Sequence, residues 1–170
     1  MYLAPTPLVT STLAGIAPGF RGVAQTIAHM RALVNQYKVN PEIIQRAISI
    51  VYLTPPKNEH RELEALFNSV RDNIRYLRDV HNVETLSDPL TTINRKVGDC
   101  DDKSVLLATL AESIGYPSRF VVAGYKPEKN YEHVYLQLWA NNQWIDADPT
   151  ENKPLGWFPP NETIIAFESV

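Results

Sequence analysis

Gly98-Asp99-Cys100-Asp101-Asp102 is the stretch from which the rest of the chain is read. It is a short acidic turn, it holds the only cysteine, and it leads into an amphipathic pattern in which Val105, Leu107, Leu110, Ala111 and Ile114 form the buried side. Gly115 and Pro117 close that helix, as a C-terminal glycine and a following proline do. A thiol in the first turn of a helix meets N–H groups without intrahelical acceptors and the positive end of the helix dipole, and both favour the thiolate. The flanking acids act the other way, because nearby negative charge raises a thiol pKa. Asp99, Asp101 and Asp102 are therefore expected to cap the helix or to point to solvent. Cys100 is a candidate nucleophile.

Three strand-like runs follow, 119–125, 133–139 and 143–148. His133 opens the second and Asp148 ends the third. Asn141-Asn142 is a two-residue turn pair that tolerates positive φ. That turn sets Trp139 opposite Trp144, Tyr135 opposite Asp148 and His133 opposite Thr150, so His133 and Asp148 become diagonal neighbours on one face, within hydrogen-bonding reach. A one-residue slip would put them on opposite faces. Cys100, His133 and Asp148 thus supply the parts of a Cys-His-Asp acyl-transfer site. Each has a plain alternative when taken singly: a buried structural thiol, a surface strand histidine, and a turn-initiating aspartate before Pro149. Their joint order favours the site.

Upstream, Val23, Ile27, Met30, Val34 and Tyr37 recur at spacings of four and three, which predicts a helix over 22–39. Asn40-Pro41 reads as an N-cap with proline at the first helical position, followed by the stripe Ile43, Ile44, Ala47, Ile48 and Val51, and Thr54-Pro55-Pro56 ends it. A third helix is predicted over 59–78, with Leu63, Leu66, Phe67, Val70, Ile74 and Leu77 on one face. Asp88-Pro89 is another cap-plus-proline start for a short helical turn. Residues 1–20 read as an extended Pro- and Thr-rich arm without helical or strand period. Helices first and a strand meander after them give an α+β class, with N-terminal helices packed on a small antiparallel sheet. The expected organisation is a single domain over 1–170, made of the arm, a helical part over 21–80, and a part over 88–170 that carries the catalytic helix and the strands.

The balance of 16 Lys+Arg against 19 Asp+Glu, with no basic run, points away from nucleic acid. One cysteine excludes an intramolecular disulfide. The N-terminal stretch lacks an early positive charge and is broken by Pro5, Pro7 and Pro18, so it reads poorly as a signal peptide. The longest apolar run, 47–53, is too short to span a bilayer. No cofactor is called for. The acids around Cys100 do not make an EF-hand, which would need glycine and glutamate where Ser104 and Leu110 stand. A zinc site from Cys100, His133 and a carboxylate lacks the usual paired spacing. Trp139, Trp144 and Trp157 either line an acyl-binding groove or serve packing. His29, His60 and His81 read as surface residues.

The order Gly-x-Cys at a helix start, a helix ending in Gly115-Tyr116-Pro117-Ser118-Arg119, the strand Phe120-Val121-Val122, His133-Val134, and then Trp144-Ile145-Asp146-Ala147-Asp148-Pro149-Thr150 resembles the transglutaminase-like cysteine enzymes. The resemblance covers roughly residues 67–150, and its Gly-Asp-Cys-Asp-Asp form is similar to compact bacterial and bacteriophage members. It implies a papain-like core with Cys100 as nucleophile, His133 as general base and acid, and Asp148 orienting the imidazole. The substrate implied is a protein or peptide amide, and the product a thioester that water or an amine resolves. The backbone N–H of Cys100 is the first oxyanion donor, and some relatives supply a second from an aromatic or amide side chain upstream. Asn94, six residues before Cys100, is the candidate for it by spacing. The alternative is a catalytically silent domain that serves assembly, conceivably in a phage particle, with residues 1–20 docking on a partner protein. The expected location is cytoplasmic or virion-associated.

Overall fold

A computed structural model describes residues 10–12, 20–78, 85–125, 132–160 and 164–170. β1 (Thr10–Thr12) precedes three helices, α1 (Phe20–Tyr37), α2 (Pro41–Val51) and α3 (Glu59–Asn73). Ile27, Met30 and Val34 of α1 are buried, as their spacing requires. Asn40 caps α2 by accepting the Glu42 N–H at 2.9 Å, and Asn58 caps α3 by accepting that of Arg61 at 3.1 Å. The buried stripe of α2 is narrower than the sequence suggests: Ile43 and Ala47 are inside, whereas Ile48 is half exposed.

The third helix also ends earlier than its pattern. Ile74 is buried but extended, and from there the chain forms β2 (Arg75–Tyr76). Two bonds hold the new path, Arg75 N–H to Lys96 O at 2.9 Å and Leu77 N–H to Gly98 O at 3.0 Å. Strand pairing thus replaces helical hydrogen bonds, and Leu77 is left exposed. The elements that follow are β3 (Thr85–Ser87), α4 (Pro89–Arg95) and β4 (Val97–Gly98). β3 pairs antiparallel with β1, so part of the N-terminal arm is a strand after all; β4 pairs in parallel with β2. The rest of the arm, 1–9 and 13–19, lies outside the described residues.

α5 (Cys100–Ser113) is the centre of the molecule. Its sequence pattern is amphipathic, yet residues 102–111 are all buried, because α1, α2, α3, α4 and the sheet pack around it. A helix enclosed on every side has no solvent stripe to show, and its polar members must find partners inside. Thr109 Oγ1 donates to Val105 O at 2.6 Å and Ser104 Oγ to Val134 O at 3.4 Å.

The main sheet holds β5 (Ser118–Gly124), β6 (His133–Ala140), β7 (Gln143–Ala147) and β8 (Ile164–Ser169), antiparallel, in the order β7-β6-β5-β8. The sequence reading found the first three and missed β8. Asn141 and Asn142 both take positive φ, 51° and 60°, and the register pairs Trp139 with Trp144 and Leu136 with Ala147. This is the register that the two-residue turn predicts. One face of the sheet, with Phe120, Val122, Val134, Leu136, Leu138 and Ile145, joins the helical core. The other face carries Val121, Ala123 and Tyr135. His133 alternates with Val134 and so belongs to the Tyr135 side.

Candidate active site

The N-terminus of α5 is built by its own acids. Asp99 Oδ1 accepts the N–H groups of Asp101 and Asp102 at 3.0 and 3.1 Å, a side-chain cap that fixes the first turn. Asp102 points inward, not to solvent: it is buried, and its Oδ1 accepts the Ser87 N–H at 2.7 Å, which ties β3 to the nucleophile helix. Gly98 makes room for this carboxylate, since a Cβ there would meet Asp102 Cβ at 2.7 Å.

Cys100 lies at the first helical position and is partly exposed. Its thiol donates to Asp101 Oδ1 at 3.5 Å. Burial pushes the thiol well above its ordinary value, and the carboxylates of Asp101 and Asp99 push it further. A hydrogen bond from the Val134 backbone N–H to the sulfur pulls the other way but does not compensate. Burial and the two carboxylates thus work against the thiolate that the helix terminus alone would favour. The Val134 contact also sets the sulfur against the start of β6, beside His133.

His133 and Asp148 meet as their register requires. His133 Nε2 lies 2.8 Å from Asp148 Oδ2, and the imidazole stacks on Tyr135 with ring centroids 5.9 Å apart. Asp148 is 1% exposed, and its other oxygen accepts from the N–H and hydroxyl of Thr150 at 3.0 and 2.6 Å. Burial alone would raise this carboxyl, but the hydrogen bond and charge of His133 and the two Thr150 bonds outweigh it and hold the group below its usual value. With Nε2 occupied, Nδ1 is the ring nitrogen open to proton exchange. The structure thus pairs His133 with Asp148, while the thiol's hydrogen bond runs to Asp101. Catalytic hydrogen bonds of this kind often tighten only when substrate is present.

Asn94 is exposed near the end of α4, on a different element from the thiol. Tyr76, which the sequence reading passed over as part of a helix, stands closer to the chemistry. The residue is 44% exposed; partial burial still lifts its hydroxyl to about 12, and the charges of Cys100, Asp99 and Asp101 add to the rise while Arg78 opposes it. Its pairing with Gly98 brings it there. Only the early end of α3 makes this possible, and no local pattern announces that end.

Asp99, Cys100 and Asp101 offer one ligand-type atom each within 4.8 Å of one another. Capping by Asp99 and the thiol contact of Asp101 account for their arrangement. Trp139 and Trp144 pack edge to face, with centroids 5.2 Å apart, and the Arg119 guanidinium lies 4.3 Å from the Trp144 ring centre. They serve the hairpin. His29 and His60 are exposed, and His81 lies outside the described residues. Among the described residues, no helix is long and apolar enough to cross a membrane.

A family model, that of the transglutaminase-like superfamily, matches residues 47–149. Among solved structures, a proposed cysteine protease from Cytophaga hutchinsonii is similar with a TM-score of 0.58 at 16% identity, covering 81% of this chain and 47% of that one. A proposed protease from Parabacteroides distasonis gives 0.56 at 11% identity, covering 76% of this chain and 26% of that one. LapG of Legionella pneumophila, in its calcium-bound structure, gives 0.52 at 15% identity, covering 81% and 80%. The chain thus spans about half the length of the first of these and about a quarter of the second. At such identities the likeness is one of fold. No curated protein sequence matches the chain.

Proposed function

Since the chain belongs to the transglutaminase-like superfamily, we propose that it is a cysteine enzyme acting on protein or peptide amides, with Cys100 as nucleophile, His133 as general base and acid, and Asp148 holding the imidazole. The observation that carries this reading is the 2.8 Å contact from His133 Nε2 to Asp148 Oδ2 beside a sulfur at a helix start. A buried carboxylate on one ring nitrogen fixes the tautomer and stabilises the imidazolium that forms when the other nitrogen takes a proton.

Because the thiol is pushed up, attack and deprotonation are coupled. As Sγ bonds to the amide carbon, the thiol proton passes to His133 Nδ1 and the carbonyl electrons move to oxygen. The oxyanion is met by the Cys100 N–H at the start of α5 and by the Tyr76 hydroxyl, whose raised value keeps it a donor at neutral pH. The imidazolium then returns its proton to the departing amine, the C–N bond breaks, and a thioester remains on Cys100. Water releases an acid; an amine releases a new amide.

Incubation with casein, with and without the fluorescent amine dansylcadaverine, tests the reading. Wild type is expected to release peptides or ammonia, or to fix the amine, and Cys100→Ala to lose that activity while keeping its near-UV circular dichroism. Release without fixation assigns water as acceptor, and fixation assigns the amine. A Cys100→Ala protein as active as wild type overturns the mechanism.

A further inference from the structure

The strand that carries Tyr76 has an edge open to a further strand. β2 lies parallel to β4, which is its only strand neighbour among the described residues. Its bonds to β4 leave from alternate residues, Arg75 N–H to Lys96 O at 2.9 Å and Leu77 N–H to Gly98 O at 3.0 Å. Alternation along a parallel strand then turns the N–H and C=O of Tyr76 to the opposite edge. That edge is close to the nucleophile, because Tyr76 stands opposite Gly98, two residues before Cys100. The side chains of Tyr76 and Leu77 are both exposed there. A backbone edge of this kind accepts another extended chain as an added strand.

The charge around the edge is of one sign. Arg75 and Arg78 lie on the segment itself, and Arg95 and Lys96 lead into β4 beside it; all four are exposed. Among the described residues the lysine and arginine ion pairs are Lys38–Glu112, Arg61–Glu64 and Arg71–Asp72, and none involves these four. In a chain with 16 Lys+Arg against 19 Asp+Glu, four cations without a carboxylate on two paired segments are a local excess. The acids nearest in sequence are engaged elsewhere: Asp72 with Arg71 at 2.7 Å, and Asp99 with the first N–H groups of α5.

We propose that the open edge of β2 docks an extended, acidic peptide segment of the substrate, with Arg75, Arg78, Arg95 and Lys96 meeting its carboxylates and Tyr76 and Leu77 its apolar side chains. The inference deepens the proposed function, since a chain paired there runs past Cys100 and can present an amide to it. Asp99 and Asp101 disfavour an acid at the scissile bond itself, so the acidic side chains belong within about three residues of it, roughly 10 Å along a strand. Cations that served only to keep this edge from pairing would give a bound peptide no preference of sign.

The test uses Cys100→Ala, so that no peptide is consumed, and follows its amide resonances by NMR. Three blocked peptides are titrated in, each alternating valine with glutamate, glutamine or lysine. The glutamate peptide is expected to shift the Tyr76 and Leu77 amides and to bind roughly tenfold more tightly than the lysine peptide. Arg75→Gln combined with Arg78→Gln should remove most of that preference, and about 0.5 M salt should weaken the glutamate peptide but not the glutamine one. Equal binding of the three peptides, or a preference that survives the two substitutions, overturns the proposal. Tighter binding of a single-stranded oligothymidylate at the same amides also overturns it, by making the edge a nucleic-acid surface. None of these readings needs turnover. Acidic peptides that bind here without wild type ever acylating Cys100 would refute the proposed function alone, and an active enzyme without the preference would refute this inference alone.

Discussion

Burial and the acids beside Cys100 work against the helix terminus on which it sits. Burial, then the carboxylates of Asp101 and Asp99, push the thiol up, and the Val134 N–H opposes them. Asp101→Asn should therefore speed alkylation by iodoacetamide at pH 8 by a few fold, because removing the anion lowers the thiol pKa; a rate unchanged or slower would mean that Asp101 does not set the state of the thiol. Tyr76→Phe removes one proposed oxyanion donor and should slow acylation of Cys100 by p-nitrophenyl acetate by about 10²-fold, with no comparable effect on alkylation, which builds no oxyanion. The His133–Asp148 contact was legible in the sequence because hairpin parity sets both side chains on one face. The placing of Tyr76 and Lys103 was not, since it comes from a helix end and from a buried contact about thirty residues away in sequence, from position 103 to position 74.

Among the elements, those with a chemical start signal were read well. Asn40 and Asp88 cap α2 and α4, and Asn141-Asn142 fixes the β6–β7 register. Elements that end or form through distant pairing were read poorly: α3 stops where β4 captures the chain, β1 exists by pairing with β3, and β8 by pairing with β5. The Gly98 turn is where the two kinds meet. A methyl group at Gly98 would collide with Asp102, whose carboxylate holds Ser87. Gly98→Ala should cost about 1–3 kcal/mol in urea unfolding and loosen β3 as seen by amide exchange at Ser87. A variant of full stability with that amide still protected would show that the turn adapts without strain.

The molecule as a whole is organised around a helix that the sequence reading took for amphipathic. α5 is enclosed by four helices and a sheet, so the site forms only when helical and strand halves close on each other. The amphipathic reading failed because a run with Lys103, Ser104 and Thr109 looks half polar, although each of these finds a partner inside. Closure also couples the site to stability. Asp148 has a carboxyl held below its ordinary value, so its contribution is fully present above the unfolded value of ~3.9 and is lost as pH falls through the lower folded value. Between about pH 5 and 2 the Tm of wild type should fall more steeply than that of Asp148→Asn, and parallel curves would show that the pair with His133 adds nothing to the fold.

The most direct measurement is acylation of Cys100 by p-nitrophenyl acetate at pH 7, followed by intact mass in wild type and His133→Gln. Cys100 is the only thiol, so thiol acylation has one site, and Cys100→Ala identifies it. Wild type should acylate readily although its thiol is pushed up, and His133→Gln should be slower by about 10²-fold or more. Acylation that is slow in wild type and unchanged by His133→Gln would contradict the claim that the His133–Asp148 pair activates Cys100.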